Sequence, residues 1–251
     1  MSNLPLNFWF PMYMKSLFVL SNTYNPGEYF TVKVASDSMK CYIISVVKLL
    51  PDSELKEKIK DFVVMTSRVS TMLINELPIF FSTFPGSEYK KTMINDGSNF
   101  LHICAEDKTS MFNWVYLLQA YIYLLFNQKP KIPTLKQMID EYEPKNMSKS
   151  YWGRPLWFVI HMSALYAPEP LQVSFEDYRS LLNCLQNLLP CLQCREHLRT
   201  NLKNINLDKC AKTNYDLFKC SVKLHNIVNK TKDVISSEIS NEEALKFYIP
   251  K

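Results

Sequence analysis

Glycine is scarce in this chain: four residues in 251, where ordinary usage near 7% would give about seventeen. Rossmann-type dinucleotide loops, Walker loops and hairpin-rich barrels all use glycine for tight or left-handed turns, so the shortage counts against each. Cysteine is also wrong for a secreted disulfide scaffold, with seven residues, an odd number, thinly spread. Neither sign of charge dominates. Twenty-nine Lys and Arg against 24 Asp and Glu leave +5, and the charges are interspersed, so no nucleic-acid partner is expected.

Long apolar runs are nearly missing too. No basic segment precedes the apolar N-terminal stretch, and Pro5 and Pro11 interrupt it, so a secretory leader is not expected. Residues 109–128 carry no formal charge and approach the ~20 residues that span a bilayer. They also contain Asn113, Gln119, Asn127 and three tyrosines, which favours a buried helix.

What is there reads as helix. With 47% hydrophobic and 21% charged residues, the chain can bury a sizeable core. Residues 52–81 open on Asp and Ser cap candidates and keep helical spacing as far as Pro78, and 110–126 and 37–50 share that period. Residues 28–35 alternate as a short strand does. Pro130, Pro133 and Pro144 mark a connector with one short helix, which places a domain boundary near 148. Past it come five helices, at 155–166, 175–189, 191–202, 215–230 and 241–248. Four suit a bundle with the fifth laid across it. The expected fold is all-α, with a mostly helical domain over 1–148 and a four-helix bundle with a short fifth helix over 149–251.

Chemistry concentrates late in the chain. Cys184, Cys191, Cys194, Cys210 and Cys220 fall close together, and Pro190-Cys191-Leu192-Gln193-Cys194 is the focus. Two intervening residues bring both sulfurs within disulfide reach, and proline suits a helix start, where backbone amides favour thiolate. Three chemistries share such a motif. A structural zinc site would take Cys191, Cys194 and His197 with Cys210, Cys220 or His225 as fourth ligand, making the chain a non-enzymatic helical interaction module. Zinc knuckles normally present a second close pair, however, and Cys210 and Cys220 lie ten apart. A thioredoxin-type centre needs a strand just before the motif, whereas an amphipathic helix precedes Pro190. Two ordinary reduced cysteines are the third reading.

The neighbouring residues bear on the choice. Trp152-Gly153-Arg154-Pro155-Leu156-Trp157-Phe158-Val159-Ile160-His161 sets Trp157 and His161 four apart on one helical face, and Tyr166 follows. His225 and Asn229 share another face, with Asn226 beside them. Taken singly, each has a plainer account as core aromatic or hydrogen-bonded interior polar group. Jointly they suit a large planar heteroaromatic with a nucleotide tail.

In these residues the chain resembles the Erv/ALR family of FAD-dependent sulfhydryl oxidases. The pattern is W-G-x-x-x-W-x-x-x-H, then P-C-x-x-C-x-x-H, then H-N-x-V-N, over approximately 150–248. The resemblance implies FAD in the mouth of a four-helix bundle, with Cys194 nearest the flavin and Cys191 meeting incoming thiols. It implies that Trp157, His161 and Tyr166 line the flavin. His197, His225, Asn226 and Asn229, with Trp152, Gly153, Arg154 and Lys230, would hold it and its adenine dinucleotide portion; no metal is implied. Electrons would pass from a protein dithiol, or a small thioredoxin-like relay protein, through Cys191 and Cys194 to FAD and then to oxygen, giving hydrogen peroxide. The resemblance also allows a homodimer.

No second Cys-x-x-Cys accompanies the first. Either Cys41 and Cys104 pair across a long loop, or substrates reach Cys191 directly, as in minimal family members of large DNA viruses. A viral setting implies host cytoplasm or virion, with the mitochondrial intermembrane space as the alternative. Cys210 and Cys220 form a structural bridge or stay as inert thiols. Phe247 and Tyr248 stand where an aromatic packs on the adenine in the family. Residues 1–148 would be a degenerate copy of the bundle or an unrelated partner-binding domain.

Overall fold

The computed structural model describes residues 6–23, 31–51, 53–67, 101, 104–126, 133–142, 148–230 and 238–249. Among these the regular elements are helices throughout: α1 Leu6–Thr23, α2 Val32–Leu49, α3 Glu54–Ser67, α4 Lys108–Leu125, α5 Leu135–Tyr142, α6 Lys149–Leu165, α7 Leu171–Leu188, α8 Leu192–Asn204, a 3-10 turn Leu207–Cys210, α9 Asn214–Lys230 and α10 Asn241–Leu245. The fold is all-α. The one expected strand is corrected, because residues 32–35 open α2, while 28–30 lie outside the described residues. Its local alternation loses to a longer pattern: Ala35, Met39, Tyr42, Ile43 and Val46 are buried at three- and four-residue spacing, and Val32 and Val34 face solvent. The helix expected over 52–81 is α3 as far as Ser67, and its remainder lies outside the described residues.

Pro11, read as an interruption, sits inside α1. An interior proline loses a backbone hydrogen bond and costs about 3 kcal/mol. It is tolerated on the exposed side, while Trp9, Phe10, Tyr13, Met14 and Leu17 bury the other. The uncharged run is α4, capped by Asp107, whose carboxylate accepts from the Ser110 amide at 2.8 Å. It buries Ser110 to Leu118 without a break. Among the described residues, no helix is long and apolar enough to cross a membrane.

The chain divides into two compact units. The first holds Met1–Ser16, Cys41–Ser53 and Met147–Lys251. Its last stretch opens at Met147, and two earlier stretches belong to the same unit. Here α6 packs chiefly on α9, and α8 packs on α7 and α9. Leu156, Val159 and Ile160 of α6 are buried, as are Tyr178, Leu181 and Leu185 of α7, Leu198 of α8 and Leu217, Phe218 and Val222 of α9. Trp9 and Tyr13 of α1, with Val46 and Leu49 of α2, close around Val159 and Met162 of α6. In the second unit, Leu17–Lys40 and Glu54–Asn146, Phe62 of α3 meets Trp114 of α4 at 5.4 Å between ring centroids. Phe18 of α1 stacks on Tyr142 of α5 at 4.7 Å.

Two disulfides brace the first unit. Cys41 of α2 is bonded to Cys184 of α7, so the alternative pairing with Cys104 is overturned. Cys104 is a free thiol, and burial pushes its pKa up. Cys210 is bonded to Cys220, tying the 3-10 turn to α9.

The Cys41–Cys184 bond joins residues 143 apart, and cross-links over long loops stabilise mainly by restricting the unfolded chain. Cys184→Ser is expected to lower unfolding free energy by about 2–5 kcal/mol, measured by denaturant titration without reductant. A non-reducing peptide map should return linked peptides containing Cys41 and Cys184, with Cys104 alkylated only after denaturation.

Candidate functional site

The Cys-x-x-Cys pair sits where its sequence puts it, at the head of α8. Cys191 is the N-cap, and its sulfur accepts from the Cys194 amide at 3.2 Å. The two sulfurs are bonded to each other, with Cα atoms 5.1 Å apart. Both residues are half-buried, and Leu192 between them is exposed. On reduction, the amides and dipole at this helix N-terminus lower the energy of a thiolate. The cysteines that a zinc site would draw on are joined in pairs, Cys191 to Cys194 and Cys210 to Cys220, and among the described residues no three His, Cys, Asp or Glu groups converge as metal ligands.

Across α6 and α9 lies a ring cluster. Trp157 stacks on His225 at 4.0 Å between centroids with 10° between planes, and on His161 at 5.6 Å and 20°. His161 is 2% exposed, and burial followed by the charge of His225 holds its pKa well below the ordinary histidine range. It is therefore neutral, which fixes its tautomer. Ser221 donates its single proton to the Phe218 carbonyl at 2.6 Å, so its oxygen accepts from His161 Nδ1–H at 2.7 Å. His161 Nε2 is then the acceptor, and it receives His225 Nδ1–H at 3.1 Å. This chain of donors runs from α9 into α6 and back, and it sets the orientation of the His225 ring.

A cavity of about 1080 Å³ opens beside these rings, at the upper end of the roughly 300–1,000 Å³ common for small-molecule sites. Cys194 lines it and Cys191 does not. Of the other expected residues, Trp152, Gly153, Arg154, Trp157, His197, His225 and Asn229 line it as well. Four stand off the wall. His161 lies behind His225 as described. Tyr166 donates its hydroxyl to the Tyr248 carbonyl at 2.8 Å, which holds the segment after α10 against the end of α6. Asn226 donates to the Ile239 carbonyl at 3.0 Å and accepts the Ile239 amide at 3.3 Å, fixing the chain ahead of α10. Lys230 pairs with Glu238 and lines a separate groove.

The cavity also has a wall that the motifs do not announce. Lys149 precedes Trp152 by one helical turn, and Met12 comes from α1. Phe247 and Tyr248 line it too. Lys149 and Arg154 bring two cationic side chains, and among the described residues no Asp or Glu lines the space. A Cβ added at Gly153 would meet no heavy atom within 4 Å, so open cavity, rather than protein packing, lies in front of this glycine. A flat Trp–His surface, two cations, no carboxylate and an apolar remainder together suit a large aromatic ligand with an anionic tail.

Comparison with known proteins bears on this site. Residues 154–244 match the profile of the Erv1 / Alr family. A rice (Oryza sativa subsp. japonica) protein named FAD-linked sulfhydryl oxidase ERV1 is 29% identical over 86 residues, covering 34% of this chain and 43% of its own length. An Arabidopsis thaliana protein of the same name is 24% identical over 111 residues, covering 42% of this chain and 57% of its own. The chain thus spans about half the length of the curated relatives it matches, and the family match leaves residues 1–153 uncovered. No solved structure matches.

The depressed pKa of His161 has a measurable sign. As pH falls through about 6.5, this histidine binds a proton in the unfolded chain and not in the fold, so stability declines toward acid by at most about 1.4 kcal/mol per pH unit from this group. His161→Gln removes that contribution. Urea titrations at pH 7 and pH 5 should show a shallower loss for the variant than for the parent; equal losses would mean that His161 protonates in the fold.

Proposed function

We propose that the cavity holds FAD and that the protein is a sulfhydryl oxidase, converting protein dithiols to disulfides through Cys191 and Cys194. The observation that carries the proposal is the shared wall: Cys194, the second residue of a Cys-x-x-Cys disulfide, lines the same cavity as a parallel Trp157–His225 stack, while Cys191 does not. The residues present fit the cofactor. Trp157 and His225 offer a flat face to an isoalloxazine, Lys149 and Arg154 suit a pyrophosphate, and Gly153 leaves room. The names of the two plant relatives support the same assignment.

The thiol chemistry follows from the two positions. A substrate thiolate attacks Cys191 Sγ, forming a mixed disulfide and breaking the Cys191–Cys194 bond, and Cys194 leaves as a thiolate at the helix N-terminus. A second substrate thiolate attacks the substrate sulfur of that mixed disulfide, releasing the substrate disulfide and the Cys191 thiolate. The chain now carries the two electrons lost by the substrate, on Cys191 and Cys194. Bound FAD would accept this pair from the dithiol and deliver it to oxygen as hydrogen peroxide, restoring the Cys191–Cys194 bond. His161 keeps His225 oriented on the wall, and neutral His161 adds no charge behind it.

Substrates are proposed to be protein dithiols, reached directly or through a small thioredoxin-like relay protein. Cys41 is bonded to Cys184, Cys104 is buried, and Cys210 and Cys220 are bonded to each other beside a separate groove, so Cys191, paired with the cavity-lining Cys194, is the proposed entry point. Exposed Leu192 beside it gives an apolar contact for a peptide carrying the thiol.

The purified protein is expected to be yellow and to consume oxygen when given a dithiol. Cys194→Ser should reduce that consumption to the background of free thiol while retaining bound flavin; normal turnover in this variant would refute the assignment. His225→Ala should lose flavin on dialysis with its helical circular dichroism intact, since the stack on Trp157 and the donor to His161 both disappear.

A further inference from the structure

Among the described residues, Met12 is the one that lines the cavity from far ahead of the motifs. Its helix is held along α6 by contacts on one helical face. The Phe8 ring lies edge-on to Phe158 at 5.9 Å. The Lys15 ammonium sits 5.7 Å from the centroid of the Tyr151 ring. Phe8, Met12 and Lys15 follow an i, i+4, i+7 spacing, and their partners run the opposite way, so α1 lies antiparallel to α6 with Met12 between two anchors. A second face adds Trp9 and Tyr13, which pack with Val159 and Met162 of α6.

Exposure separates Met12 from the core residues around it. Trp9, Phe10, Tyr13 and Met14 are all at or below 3% exposed, whereas Met12 is half-buried. The missing cover is the cavity. An unbranched, polarisable thioether adapts to an aromatic edge and gains from sulfur–ring contact. Nothing in the Erv-like segment supplies this part of the wall, because α1 lies outside residues 154–244.

We propose that Met12 is a cofactor-contacting residue, and that the first half of α1 belongs to the FAD site as one of its walls. The inference rests on the FAD reading above. It gives the N-terminal segment a role in binding: Met12 packs against the bound group, excludes water on that side and slows its release. Phe8 and Lys15 are positioning residues, acting through α1 on Met12.

The test uses the full-length flavoprotein and reads flavin release, as the rise in flavin fluorescence after dilution, rather than turnover. Met12→Leu keeps an apolar side chain of similar volume and should release FAD at the parent's rate. Met12→Glu sets a carboxylate against the ligand and should release it about tenfold faster or more, a difference of about 1.4 kcal/mol if association is unchanged. Stability of the flavin-free forms and retention of the Cys41–Cys184 link check the fold. If Met12→Glu fails to fold, Met12→Gln decides, and it should release FAD at least threefold faster than Met12→Leu. Unchanged release from a folded Glu or Gln variant, with a yellow parent protein, overturns the role of Met12 and leaves the FAD reading standing. A parent that binds no FAD overturns both.

Discussion

The parallel contact of Trp157 with His225 is the constraint on which the site depends. It ties α6 to α9 at the point where the cavity opens, and it holds only because the imidazole cannot rotate. Ser221 and His161 prevent that rotation through donors and acceptors assigned in one direction only. A charged His161 would reverse the donor to His225, and its burial keeps it neutral. The arrangement couples an electrostatic condition in the core to the shape of a cavity wall, in a unit whose α8 brings Cys194 to the same cavity.

Much of this was legible locally. A proline followed by Cys-x-x-Cys predicts a helix N-terminus, and Cys191 is the cap of α8. Trp157 and His161 at four-residue spacing predict a common face, and they stack. What local pattern does not carry is contact between distant segments. Met12 gives no signal of a ligand wall, since its spacing from Phe8 and Lys15 reads equally as ordinary amphipathic helix. Cys41 has no nearby cysteine to announce a partner at Cys184. The strand over 28–35 and the interruption at Pro11 fail for a related reason: both weigh a few residues, while α2 and α1 are decided by apolar faces that continue for several turns.

Motif residues and wall residues also prove to be different sets. Asn226 lies in one of the sequence blocks that carry the resemblance, and Tyr166 and Lys230 follow such blocks closely, yet their side chains are engaged with Ile239, Tyr248 and Glu238. Their effect on the cavity is exerted through the segment around α10, which brings Phe247 and Tyr248 to the wall. A recurring residue in such a block serves the site either by touching the ligand or by aiming what does, and spacing does not distinguish the two. Lys149 illustrates the converse, lying one turn ahead of the first block and on the wall.

The bond between Cys41 and Cys184 encloses residues 42–183 in a covalent ring. Glu54–Asn146, the greater part of the second compact unit, lies wholly inside it. A single peptide cleavage anywhere in that ring opens the backbone without parting the molecule, because the two fragments stay joined through sulfur until a reductant arrives. The chain can therefore be nicked across more than half its length and still keep its first and last helices on one particle.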